Sequence, residues 1–174
     1  MLTKKKFLRK KNFLYEKNIR PKGFKKIDFF WINDFDARTY LKNRNNRSIS
    51  KFFFNKKISV DEHNTFLKKY KKLARIDFII RHNKKTMIGF LSLKYDLKRY
   101  SIGKFISNKN FRKKGIMKKA FINFVKYLNS YYKIKFVYSE TFKTNKDNIN
   151  FNFMNGFKII DKFKNVVLMR KKMF

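Results

Sequence analysis

The chain has 174 residues and sets 47 Lys and Arg against 11 Asp and Glu, a formal net charge of +36, yet 43% of it is hydrophobic and it holds 23 Phe. That apolar content excludes a disordered polycation, and the length suits a single domain with a sizeable core. There is no cysteine and only two histidines, His63 and His82, which excludes disulfides, thiolate nucleophiles, zinc fingers and a His-rich metal cluster.

The charge invites a nucleic-acid partner. However, Lys, Asn, Ile, Phe and Tyr are all abundant while Ala, Gly, Pro and Arg are scarce, the split between AT-rich and GC-rich codons. The lysines are also spread along the whole chain, so charge alone names no partner. No apolar run approaches the roughly 20 residues of a membrane helix, and "MLTKKKFLRKKNFLYEK" lacks the continuous apolar core of a signal peptide. The expectation is a soluble cytoplasmic protein, without membrane association and without a metal.

In chain order, residues 1–26 form a basic segment ending in "RPKGFKK", read as a loosely ordered arm ahead of one domain over residues 27–174. "IDFFWI" (27–32) alternates as a strand. Asn33 and Asp34 can cap a helix over 35–45. Ser59 with Glu62 forms a capping box, and Phe66, Leu67, Tyr70 and Leu73 follow at helical spacing. "RIDFIIRH" (75–82) and "TMIGFLSLKYDL" (86–97) are strands joined by a polar turn, and "YSIGKFIS" (100–107) is another. Residues 115–132 place Ile116, Ala120, Phe124 and Leu128 on one helical stripe. A strand over 133–142, a short helix from Asn145 to Met154, and strands at 157–160 and 165–172 complete the chain. The helix between residues 107 and 133 implies a crossover between parallel strands, within an α/β fold built on a mixed sheet.

The stretch "NFRKKGIMKKAF" (110–121) has two readings, a basic patch or a turn that presents a helix N-terminus to a phosphate. A strand that turns through Gly115 into a helix exposes unpaired N–H groups, and those donors with the helix dipole suit a pyrophosphate.

"YSIGKFISNKNFRKKGIMKKAF" resembles the strand and R-x-x-G-x-G/A loop of the GNAT superfamily of N-acetyltransferases, with Met117 in place of the last small residue. "TNKDNINFNFMNGF" is similar to the second block of that family, N-x-x-A/S-x-x-x-Y-x-x-x-G-F. Asn145, Gly156 and Phe157 match it. "LKNRNNRSISKFFFNKKISVDEHNTFLKKY" resembles the branch that acetylates nucleotide-linked amino sugars, through Arg44, Asn45, Glu62 and His63. The family fold implied is a GNAT-like mixed, mostly antiparallel central sheet with a V-shaped splay and flanking helices.

The resemblance implies acetyl-CoA as cosubstrate and a neutral amine as acceptor. The expected acceptor is the 4-amino group of a UDP-linked amino-dideoxy sugar, as in pseudaminic acid synthesis. A ribosomal-protein N-terminus and a non-catalytic nucleic-acid-binding module are the alternatives. Nucleic acid is not required by the leading reading, and a homodimer is an open assembly state. Main-chain amides of Lys113, Lys114, Gly115, Ile116 and Met117 would face the pyrophosphate, and Arg112 would also bind the cofactor. Ile106 and Ser107 would bond the pantetheine arm from one strand, with Asn145 on the other side, although Asn145 also suits a plain helix cap. Arg44, Asn45 and His63 would hold the acceptor, with a solvated arginine and a helix-packed histidine as the plainer possibilities.

The proton-transfer residues depart from the family pattern. Ser101 stands where a glutamate precedes the I-G pair, and Asn152 stands where a tyrosine protonates the departing thiolate. An amide can donate a hydrogen bond to sulfur but delivers no proton. Glu140, Asn152 and His63 are the remaining candidates for the catalytic groups, and Glu140 is equally readable as a surface charge at a strand end.

Overall fold

The longest apolar alternations form the middle of the sheet, as their burial on both faces requires. The computed structural model describes residues 3–34, 37–55 and 57–173. Its strands are β1 (Ile27–Trp31), β2 (Arg75–His82), β3 (Thr86–Asp96), β4 (Arg99–Ile106), β5 (Phe136–Phe142), β6 (Lys158–Lys162) and β7 (Val166–Lys172). They lie in the order β1-β2-β3-β4-β5-β7-β6, and every neighbouring pair is antiparallel except β4 with β5. The β3–β4 hairpin turns through Leu97 and Lys98, both left-handed, the backbone whose twist matches the flanking strands. This is the mixed, mostly antiparallel sheet anticipated from the sequence, with the parallel pair at the crossover.

Helices cover both faces. On one lie α2 (Ala37–Arg44), α3 (Arg47–Ser50) and α4 (Val60–Lys69), where Tyr40 and Phe53 pack on Phe90 and Phe105. The expected cap at Asp34 and the start of α2 fall at or beside residues outside those described. The Ser59–Glu62 capping box of α4 is formed, with Glu62 N–H donating to Ser59 Oγ at 3.1 Å and Ser59 N–H to Glu62 Oε2 at 2.7 Å.

On the other face lie α5 (Ile116–Tyr132) and α6 (Lys146–Met154). Helix α5 buries Met117, Ala120, Phe121, Phe124, Val125, Tyr127, Leu128 and Tyr132. At roughly 1.5–3 kcal/mol for each large side chain, that face holds the helix in place without any side-chain cap at its start.

The N-terminal segment corrects the sequence reading. Residues Lys4–Glu16 are not an irregular lead-in but a helix, α1, capped by Thr3. Phe7, Lys11 and Leu14 share its buried face, and Phe7 sits among Tyr95, Tyr100 and Tyr132. The lysine in the middle of that stripe hides the apolar period. Lys11 Nζ donates to the carbonyls of Tyr70 (2.6 Å), Lys71 (3.2 Å) and Leu73 (3.1 Å), where α4 ends in a 3-10 turn. A cation at the negative end of a helix satisfies orphan carbonyls there, and burial lowers its pKa to about 8. Lys11→Met keeps the bulk but strands those carbonyls. It should destabilise the fold by about 2–3 kcal/mol in urea unfolding, the scale of a lost buried hydrogen bond to a charge.

Candidate active site

The parallel neighbours β4 and β5 share only one paired position, Ser101 with Tyr138. Beyond it, toward Ile106 and Phe142, the two edges face each other without ladder bonds. Ser107 N–H donates to Ile88 O at 3.0 Å, so it faces β3. Strand alternation then turns the main chain of Lys104 and Ile106 toward β5. The expectation that Ser107 offers its main chain to a cofactor is therefore corrected, because β3 already uses that N–H. Its hydroxyl is enclosed and has no hydrogen-bond partner among the described residues, whereas the Ile106 carbonyl accepts from Arg112 Nε at 3.3 Å.

The glycine turn closes one end of this slot. Lys113 and Gly115 are left-handed, with φ of 58° and 70°, and Gly115 is the N-cap of α5. A Cβ added to Gly115 would meet no atom within 4 Å, so the approach to the helix start is open. Lys113 and Lys114 are exposed beside it, and Ile116 is half-buried. Met117 is buried instead of facing the turn, its methyl 3.5 Å from where a Cβ of Gly89 would stand. The long side chain replaces the small residue of the family loop because β3 leaves room at Gly89. Arg112 also reaches Ser48 Oγ at 3.4 Å and braces the loop against α3. An uncapped helix start, an open glycine and an orphaned hydroxyl are a donor set that fits the diphosphate and arm of acetyl-CoA. Among the described residues there is no group of three His, Cys, Asp or Glu that could hold a metal ion.

Along the β5 side runs a chain of polar groups. Asn145 caps α6 by accepting from Asn148 N–H at 3.2 Å, and Asn148 Nδ2 donates to Thr141 Oγ1 at 2.8 Å. Thr141 Oγ1 lies 3.3 Å from Ser139 Oγ, which accepts from Asn152 Nδ2 at 3.1 Å. Asn152 is fully buried, and the same amide nitrogen lies 3.5 Å from Met169 Sδ. Its donors are thus engaged within the protein, one of them by the Met169 sulfur, and neither is left for the departing thiolate of a cofactor. The Asn152 oxygen instead accepts from Lys104 Nζ at 2.6 Å, and that ammonium lies 4.9 Å from the Phe151 ring centre. Burial drives the Lys104 pKa down to about 7. Sequence reasoning missed Lys104, although it occupies the inward row Tyr100, Ile102, Lys104, Ile106 of β4.

The front-half residues are placed differently from one another. Arg44 is 4% exposed, stacked over Phe53 at 4.2 Å and bonded to the Asn55 carbonyl. Burial lowers its pKa. Asn45 holds both main-chain groups of Ile58, donating to Ile58 O (2.7 Å) and accepting from Ile58 N–H (3.1 Å). His63 is 3% exposed and stacked between Tyr40 (4.8 Å) and Phe66 (5.8 Å). Burial lowers its pKa, which keeps the ring neutral at pH 7. Thus Arg44 and His63 are packing residues of α2 and α4. The cations that line open space are Arg47, Lys51 and Lys57, which with Asn45 and Ser50 border a cleft of about 650 Å³. Glu140 is exposed on β5, on the face opposite Ser139 and Thr141.

These features agree with what the chain resembles. A model of the acetyltransferase (GNAT) domain matches residues 30–158. The chain therefore belongs to the GNAT acetyltransferase family, and it is an N-acetyltransferase. Among solved structures, a domain from Methanocaldococcus jannaschii is similar at TM-score 0.71 and 23% identity, over 84% of this chain and 98% of that one. Spermidine N-acetyltransferase from Vibrio cholerae, in complex with CoA and spermine, gives TM-score 0.71 and 18% identity, over 85% and 96%. The Campylobacter jejuni N-acetyltransferase PseH gives TM-score 0.64 and 19% identity, over 85% and 99%. A comparison with curated proteins found no match. No helix among the described residues is long and apolar enough to cross a membrane.

Asn45→Ala removes both bonds to Ile58 and should loosen the cleft wall. We expect a loss of about 1–2 kcal/mol in chemical denaturation, the scale of unpaired main-chain groups. Faster amide exchange confined to residues 46–58 should accompany it.

Proposed function

We propose that this acetyltransferase transfers acetyl from acetyl-CoA to the 4-amino group of a UDP-linked amino-dideoxy sugar. The observation that carries the acceptor is the cleft lined by Arg47, Lys51 and Lys57, with no carboxylate among its lining residues. Such a wall attracts a nucleotide diphosphate and repels a polycation such as spermidine. The Arg44–His63 sequence pattern, which resembles the branch acting on nucleotide-linked amino sugars, supports the same class of acceptor.

In this reading the N–H groups at the start of α5, around Gly115, hold the cofactor's pyrophosphate, with Lys113 and Lys114 adding positive charge. The pantetheine arm lies along the open edge of β4 at Lys104 and Ile106, and Asn145 supports the other wall by fixing α6. Bound there, acetyl-CoA supplies an acyl carbon activated as a thioester. Holding it beside the amine gives the reaction much of its acceleration. Glu140 takes the amine proton, from the face of β5 that also carries Phe142, whose ring is tilted against Phe54 with centroids 4.9 Å apart. Arg44, Asn45 and His63 act on the acceptor by shaping the cleft wall.

Calorimetry with acetyl-CoA and turnover against an acceptor panel test this. Acetyl-CoA should bind the wild type, and Gly115→Trp should abolish binding by filling the helix start, at a cost to stability of only about 1–2 kcal/mol for a side chain at a left-handed position. A UDP-4-amino-dideoxy sugar should be acetylated at least tenfold faster, by kcat/KM, than spermidine or an N-terminal peptide. Its KM should rise with salt, because exposed charges are screened. Equal or faster acetylation of spermidine would defeat the assignment of an anionic acceptor.

A further inference from the structure

The polar chain on the β5 side ends on a lysine that no part of the family pattern anticipates. Lys104 projects from β4 toward α6, across the slot that opens beyond Ser101 and Tyr138. Lys104 is half-buried, with its ammonium bonded against α6. One of its N–H groups bonds Asn152 Oδ1 at 2.6 Å, and the others have no hydrogen-bond partner among the described residues. Asn152 cannot turn away, because its nitrogen is held by Ser139 Oγ and Met169 Sδ. A half-buried ammonium with spare donors, fixed at the wall of the slot by Asn152, is placed to meet whatever occupies it.

We propose that Lys104 is a catalytic residue, the acid that protonates the departing CoA thiolate, and that Asn152 is the positioning residue that aims it. This rests on the reading that the cofactor arm lies in the β4–β5 slot.

The partner chosen for Lys104 explains why it can do this. A carboxylate at position 152 would hold the lysine as a permanent cation. The amide oxygen bonds the ammonium without adding a charge, so burial prevails and the pKa falls to about 7. The groups that Lys104 meets are uncharged, Asn152 and Phe151 of α6, and burial alone, with no charged neighbour contributing, shifts its pKa. Glu140 lies on the opposite face of β5, and Asp147 of α6 is exposed. A thiol has a pKa of about 8.5, so transfer from Lys104 to a thiolate runs downhill.

The step balances. The neutral amine attacks the thioester carbonyl carbon, a C–N bond forms, and an electron pair moves to oxygen. As the carbonyl re-forms, the C–S bond breaks with its pair on sulfur. Lys104 gives one proton to that sulfur and becomes neutral. The proton lost by the attacking nitrogen goes by way of Glu140 to solvent, and Lys104 takes one back from solvent. One amine and one thioester become one amide and one thiol.

The test combines NMR of the free protein with rates in the presence of acetyl-CoA. Lysine side chains labelled with ¹³C should show two resonances titrating below the ordinary lysine range, Lys11 near pH 8 and a second near pH 7 that is absent in Lys104→Met. The rate of CoA release with a UDP-4-amino-dideoxy sugar should fall as pH rises above about 7, because the acid must be protonated. Lys104→Met should lower kcat about 100-fold or more, within the range for a lost general acid, with the KM for acetyl-CoA within twofold of wild type. Asn152→Asp should raise the lysine pKa and carry the falling limb upward by about 1–3 pH units, a readout that a packing role would not move. If acetyl-CoA does not bind the wild type, both the slot and this role fall. If wild type turns over and Lys104→Met keeps its rate and falling limb, the role of Lys104 alone falls. A Lys104→Met protein that binds acetyl-CoA tenfold more tightly would mark the lysine as a plug and overturn the proposal. So would a Lys104 resonance that does not titrate between pH 6 and 8.

Discussion

The site depends on one constraint, that β4 and β5 pair at Ser101 and Tyr138 and nowhere further along. Had the ladder continued, the main chain at Lys104 and Ile106 would be spent on β5 and the sheet would have no opening. The separation is supported from both sides. Arg112 draws the end of β4 toward the glycine turn through the Ile106 carbonyl, while β7 pairs with β5 along all seven of its residues. On the α6 side of the diverging edges, Lys104 of β4 and Asn152 of α6 make a polar contact. The start of α5 stands at the mouth because the same crossover that makes β4 and β5 parallel must begin a helix there.

A second theme is how a chain with so few carboxylates handles buried cations. Three ion pairs occur among the described residues, and only Arg75–Asp77 has a buried carboxylate. The other enclosed cations bond neutral oxygens: Lys11 takes three carbonyls, Arg44 the Asn55 carbonyl, and Lys104 an amide. Neutral partners satisfy the hydrogen bonds without restoring the lost solvation, so pKa values fall. For Lys11 and Arg44 the result is structural. For Lys104 the same physics brings a lysine into the range where it can exchange protons near pH 7.

The sheet was legible in the sequence because its strands alternate or run apolar between turns, and the α5 turn because Gly115 follows a strand and precedes a helical stripe. The Ser59–Glu62 box was legible as local chemistry. Helix α1 was not, since Lys11 interrupts its apolar face and its partners are carbonyls 59 to 62 residues away. Arg44 and His63 match a functional pattern in sequence, yet both are held by rings brought to them by folding, Phe53 for one and Tyr40 for the other. Lys104 was hidden differently. Its place in the inward row of β4 is visible by period 2, but one lysine among 47 basic residues carries no signal until its burial is known.

The most direct measurement of the central claim is an amide NMR titration of the protein with CoA. The β4–β5 slot predicts that the amides of Gly115 to Lys118 and of Lys104 to Ile106 shift together and saturate at one CoA per chain. Shifts scattered over exposed lysines and removed by moderate salt, with those two segments unmoved, would contradict it.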